Sequence, residues 1–166
     1  RINLNGKLGD YLPSTKGTNK AKLKISDILL HQAGLEPDVL FYRYVRDSIT
    51  HQPNPAIISS KKPGFTIRVA DNLYLRNDWL DTAFQLVLDS RLGPANKYVY
   101  SDLDFIFLGK VVEAVTKMPL YEYVQKTFYK PLGMKTTGFK PLEKFTKDRI
   151  VPTEIDTLFR WQMLWG

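Results

Sequence analysis

From Leu103 to Met118 apolar side chains occupy most of a helical circumference, and Lys110, Glu113 and Lys117 form the one polar stripe. This pattern predicts a buried helix. Glu113 and Lys117 stand in the favourable i,i+4 order for an ion pair. Gly109 in its middle costs about 1 kcal/mol of helix propensity, which close packing against another element would offset. Pro119 suits the first position of a following helix. Leu120, Val124 and Phe128 line one face of that helix until Pro131-Leu132-Gly133 ends it.

The same reading places weaker elements elsewhere. Ile2 to Leu8 alternates briefly and leads into a turn at Gly9 to Pro13, and the polar, basic run Ser14 to Lys24 reads as a surface loop. Ser26 is a candidate N-cap for a short helix with Asp27 in its first turn and Gly34 as a left-handed stop. Residues 38–49 carry apolar residues at helical spacing, and 50–64, with Pro53, Pro55 and Pro63, should be a loop. Phe65 to Val69 and Leu73 to Leu75 read as strands joined through Asp71-Asn72. Asn77 is a candidate cap for a helix from Asp78 to about Ser90, with Trp79, Leu80, Phe84, Val87 and Leu88 buried. A final strand is expected at Thr157 to Trp165.

The 166 residues amount to one domain of ordinary globular composition, with 43% hydrophobic and 25% charged residues. Without cysteine there is no disulfide, thiolate ligand or cysteine nucleophile, and His31 and His51 alone cannot make a histidine-rich metal centre. No metal or cofactor is expected. The net charge of +7 is uneven: residues 1–24 and 126–149 carry +5 each, whereas 25–125 carry −2. Basic flanks could attract an anionic surface or nucleic acid. No aromatic-basic motif accompanies them, so solvated lysines explain them and nucleic-acid binding is the weakest alternative. No apolar run reaches the ~20 residues of a membrane span.

The chemistry centres on Tyr100-Ser101-Asp102, where an extended approach meets the buried helix. Together with Leu103 to Val115, Tyr121-Glu122-Tyr123-Val124 and Pro131 to Phe139, this stretch resembles the serine β-lactamase and penicillin-binding-protein family, in the branch of class C enzymes, DD-peptidases and esterases. Shorter likenesses are Ile2 to Leu35, where His31 matches a family histidine, and Pro152-Thr153-Glu154. The resemblance implies an α+β fold, predominantly helical here. It treats residues 1–166 as a single partial domain in which 36–96 is a variable, insertion-like region.

Enzymes of this family combine a helical S-x-x-K, a Y-x-N or S-x-N element, and a K/H-x-G strand. Tyr100-Ser101-Asp102 matches the second. By resemblance Tyr100 helps shuttle the nucleophile's proton, its pKa lowered by a neighbouring lysine. Asp102 stands where the family often has asparagine, so it can accept but cannot donate an amide hydrogen bond. His31 would support the active-site wall, or serve only as a hydrogen-bonded residue of the fold.

Three look-alikes are set aside. Ser59-Ser60-Lys61-Lys62 falls in a predicted loop after the His31 helix. Lys135-Thr136-Thr137-Gly138 belongs to a turn, and Lys16-Gly17-Thr18 has the wrong order. The nucleophile and third motif are therefore expected outside this chain, which alone should be inert. The whole protein is expected to act on a peptide, lactam or ester substrate outside the cytoplasm. The alternative is a non-catalytic relative that binds or scaffolds.

Overall fold

The computed structural model describes residues Arg1 to Trp165. Helices and short strands divide between two compact units. The first comprises residues 1–39 and 85–137, and the second comprises 40–84 and 138–166.

In the first unit, α1 (Leu8–Tyr11) and α2 (Ile25–Leu29) pack against the long helix α5 (Asp102–Thr116). The turn expected at Gly9 to Pro13 is thus helical. Asp10 secures its start by accepting the Lys7 N–H at 2.8 Å. Leu8, Ile25, Ile28, Leu103, Phe107 and Val111 are almost wholly buried, each contributing roughly 1.5–3 kcal/mol relative to exposure.

The polar run 14–24 is not a simple surface loop, because Thr15 and Lys20 are fully buried. Lys20 Nζ donates to Asn19 Oδ1 at 2.8 Å and to the Ser90 carbonyl. Ser90 follows α4 (Trp79–Asp89), whose orphan terminal carbonyls favour a cation.

Several predicted boundaries move. Ser26 lies inside α2, and the left-handed turn after α2 falls at His31, φ 55°. Gly34 is also left-handed at φ 79°, where an added Cβ would lie 2.5 Å from the Gly93 carbonyl oxygen. At Gly109 a Cβ would meet only Leu120 Cδ2, at 3.6 Å, so the expected close approach is not required. Lys117 leaves the helix as its left-handed C-cap, and Glu113 turns instead to Lys110 Nζ (3.4 Å) and the Leu120 N–H (3.1 Å). Glu113 thereby joins α5 to α6 (Leu120–Val124). A wide turn over Gln125–Tyr129 follows α6 and leaves Phe128 half exposed.

The second unit contains a three-stranded antiparallel sheet ordered β1-β3-β2: β1 (Ile58–Ser59), β2 (Phe65–Ala70) and β3 (Leu73–Arg76). The turn through Asp71-Asn72 follows from composition, because asparagine tolerates the left-handed φ of 53° at Asn72. Strand β1 was not expected, and residues 38–49 yield only α3 (Tyr42–Val45). Asn77 does not act as the foreseen cap: its Oδ1 accepts from the backbone and hydroxyl of Thr66. Val45, Ile58, Leu75 and Trp79 form the core, whereas Leu80 is exposed rather than buried.

Pro152-Thr153-Glu154 opens a strand instead of preceding one. Strand β4 (Pro152–Asp156) pairs antiparallel with β5 (Gln162–Trp165). The intervening turn is fixed by Asp156, which accepts from the N–H groups of Leu158 and Phe159 at 2.9 Å and from Arg160 Nε at 2.6 Å. Asp71 ties the β2–β3 turn to Arg68 at 2.5 Å and to Lys147.

Candidate active site

The site is built where two stretches of the first unit run alongside one another. Gly93 N–H donates to the Gly34 carbonyl at 2.7 Å, Asn96 to Gln32 at 2.9 Å and Val99 to His31 at 2.9 Å. Ser101 Oγ then donates to the Glu36 carbonyl at 2.6 Å, and Asp102 N–H to that of Pro37 at 2.9 Å. These bonds bring Tyr100-Ser101-Asp102 to His31 and fix the backbone from which α5 starts. Ser101 is the N-cap of α5, accepting the Leu103 N–H at 3.2 Å.

Alternation of direction at this junction sorts the side chains. Ser101 is buried, while Tyr100 (58% exposed) and Asp102 face solvent. The Tyr100 ring packs on the His31 imidazole, with centroids 4.8 Å apart and planes inclined by 40°. Phe105 and Tyr98 complete the aromatic surround of His31, at 5.5 and 5.9 Å. The Tyr100 hydroxyl hydrogen-bonds the Asp102 carboxylate, which pushes the phenol's pKa up. Within this chain the perturbation thus opposes the lowering implied by the resemblance.

Beneath the ring lies a residue that the sequence did not single out. Asp104 is buried, and its Oδ2 lies 2.7 Å from His31 Nδ1. Burial pushes its pKa up, with His31 pulling the other way. The signal was present in the Ser101-x-x-Asp104 spacing of a capping box, but its partner stands 73 residues away in sequence.

The look-alike motifs are not assembled as catalytic elements. Ser59 ends β1 and Lys62 forms an isolated antiparallel bridge with Phe65, so neither is presented on a helix face. Lys135 to Gly138 and Lys16 to Thr18 lie outside strands. A groove of about 670 Å³ in the second unit is lined by Arg68, Asp71, Glu154, Arg160 and neighbours, including none of the Tyr100 motif. Its arginines are paired with carboxylates. Among the described residues no cluster of three or more histidine, aspartate or glutamate side chains could hold a metal.

The β-lactamase family profile matches residues 1–161. The chain belongs to the β-lactamase family. A provisionally named D-alanyl-D-alanine carboxypeptidase of Salmonella paratyphi A is 34% identical over an alignment that covers 93% of this chain and 32% of that protein. The octameric penicillin-binding protein homologue of Pyrococcus abyssi superposes with a TM-score of 0.56 at 17% identity, over 99% of this chain and 33% of that one. A provisionally named β-lactamase of Bacteroides dorei gives 0.56 at 18% identity, over 84% and 34%. Membership fixes a serine hydrolase type of family and a mixed α and β, β-lactamase-like fold. The chain spans about a third of the length of the curated relatives it matches. Among the described residues no helix is long and apolar enough to cross a membrane.

Proposed function

We propose that the protein carrying this chain is an acyl-serine hydrolase acting on a peptide, lactam or ester, and that Tyr100 and Asp102 are its proton-handling and orienting pair. The observation that carries this reading is the placement of Tyr100. Its side chain is exposed and its hydroxyl turns to Asp102, its ring is seated on His31, and its backbone is pinned through Ser101 and Asp102. A preorganised proton carrier needs this combination of exposed polar tip and fixed base.

In this reading the nucleophilic serine and its lysine come from the remainder of the protein, so residues 1–166 alone are inert. Serine Oγ attacks the carbonyl carbon, and its proton passes by way of Tyr100 and the lysine to the leaving group. Water then hydrolyses the acyl-enzyme. Asp102 favours the neutral phenol, and a nearby ammonium would counter it by stabilising the phenolate. Because Asp102 only accepts, it suits substrates that present an N–H. His31 supports the wall behind Tyr100. The proposed setting is outside the cytoplasm, testable by fractionating cells that express the tagged protein.

The test treats the full-length protein with a fluorescent penicillin and a fluorophosphonate, alongside Tyr100→Phe. The labelled residue is then located by mass spectrometry. A labelled serine, acylated more slowly in the variant, is expected. One second reading is a non-catalytic binding module. Absence of label on the folded full-length protein would select it.

A further inference from the structure

In an ordinary S-x-x-D capping box the third-position carboxylate accepts the N-cap N–H directly. Here an imidazole stands between the two. Ser101 N–H points at His31 Nδ1 from 3.2 Å, and Asp104 Oδ2 approaches the same nitrogen at 2.7 Å. A ring nitrogen offers either one proton or one lone pair. If Nδ1 carried a proton, it could donate to Asp104, but the buried Ser101 N–H would then face another N–H. If Nδ1 is bare, it accepts from Ser101, and its contact with Asp104 is a hydrogen bond only when the carboxyl supplies a proton.

Only the second arrangement makes both contacts attractive. Two further observations agree with it. Asp104 Oδ1 is buried without a hydrogen-bond partner among the described residues, a smaller penalty for a neutral acid than for a carboxylate. Burial also drives Asp104 toward its protonated form.

We propose that Asp104 is the positioning residue for Tyr100: as a neutral acid it donates to His31 Nδ1, whose single lone pair is shared between this donor and Ser101 N–H, and so holds the imidazole under the Tyr100 ring. The pair thus fixes Tyr100 twice, through the ring beneath it and through the peptide that follows it. Its bearing on catalysis rests on the function proposed above. The placement of the proton does not, because it belongs to the resting protein.

The test uses full-length protein with 15N-labelled histidine and 13C-labelled aspartate, the His31 signals being assigned from a His31→Gln variant. A bare Nδ1, a protonated Nε2 and a neutral Asp104 carboxyl are expected at neutral pH. Asp104→Asn keeps an N–H donor for Nδ1. It should retain the Tyr100 ring shifts and keep Ser101 amide exchange within about threefold of wild type. Asp104→Leu removes the donor at similar volume, and should move the Tyr100 shifts and speed that exchange by about tenfold or more.

A protonated Nδ1 facing an ionised Asp104 would overturn the proposal, and this signal is read in the wild-type protein even if Asp104→Leu does not fold. Wild-type Tyr100 shifts and Ser101 exchange in a folded Asp104→Leu would overturn it as well. A missing penicillin label beside the expected NMR signature would overturn the hydrolase reading alone.

Discussion

The Tyr100 ring rests on the imidazole of His31 with centroids 4.8 Å apart, while its hydroxyl turns outward to Asp102. The two ends of one side chain therefore do different work. Tyr100→Phe keeps the ring contact and deletes the exposed hydroxyl. Thermal unfolding should change by less than about 0.5 kcal/mol, whereas acylation of the full-length protein should slow by about 10²- to 10⁴-fold.

The Asp102 carboxylate raises the Tyr100 phenol, first by hydrogen bonding and then by charge. Asp102→Asn removes the charge. The phenol should then ionise at lower pH than in the wild type. Ultraviolet titration of tyrosinate, with Tyr100→Phe as the subtraction control, reads the shift.

Two glycines should respond to alanine in opposite senses. Gly109 is helical, and a new Cβ finds ordinary contact at 3.6 Å. Gly109→Ala should stabilise by about 0.5–1 kcal/mol. Gly34 combines φ 79° with a Cβ position 2.5 Å from the Gly93 oxygen. Gly34→Ala should cost about 2 kcal/mol or more. Urea unfolding midpoints decide both.

Burial lowers the pKa of Lys20, with the charges of Glu36 and Asp89 opposing the shift. The folded state therefore releases the proton before the unfolded state does, and between the two pKa values the unfolded chain binds more protons. Stability should rise with pH from the depressed folded value up to the unfolded lysine's value of about 10.4. Lys20→Met should abolish that rise and cost about 1–3 kcal/mol at neutral pH by leaving the Ser90 carbonyl poorly paired. Denaturation midpoints across alkaline pH test it.

Asp156 shows the reverse linkage. Burial pulls its pKa up, but Arg160 and the N–H groups of Phe159 and Leu158 outweigh it, and the net shift is downward. Its stabilisation is complete above the unfolded carboxylate value of about 3.9 and is lost as pH falls through the folded value. Asp156→Asn should cost about 1–2 kcal/mol at pH 7 and flatten the acid limb. Circular dichroism melts between neutral and acidic pH measure both.

Where neighbouring residues settle a structure, the sequence was readable. Helix α5 declares itself through an apolar stretch behind a serine cap, and the β2–β3 hairpin through Asp71-Asn72. Tyr100-Ser101-Asp102 was legible as a motif, but its meeting with His31, 70 residues away from Ser101, was not. Long-range pairing is what sequence periodicity could not supply. Lys20 looks like any lysine in a basic run until Ser90, 70 residues on, takes its ammonium. Asn77 has the right type and place for a cap, but Thr66 from the neighbouring strand claims its oxygen. Asp104 reads as half of a local capping box until His31 enters between its members.

The run of hydrogen bonds from Gly93–Gly34 to Asp102–Pro37 acts as a clasp on the chain. All of its bonds except that of Ser101 join main chain to main chain. The seat of Tyr100 is therefore held without calling on the side chains of Gln32, Asn96 or Val99, which leaves those positions open to substitution.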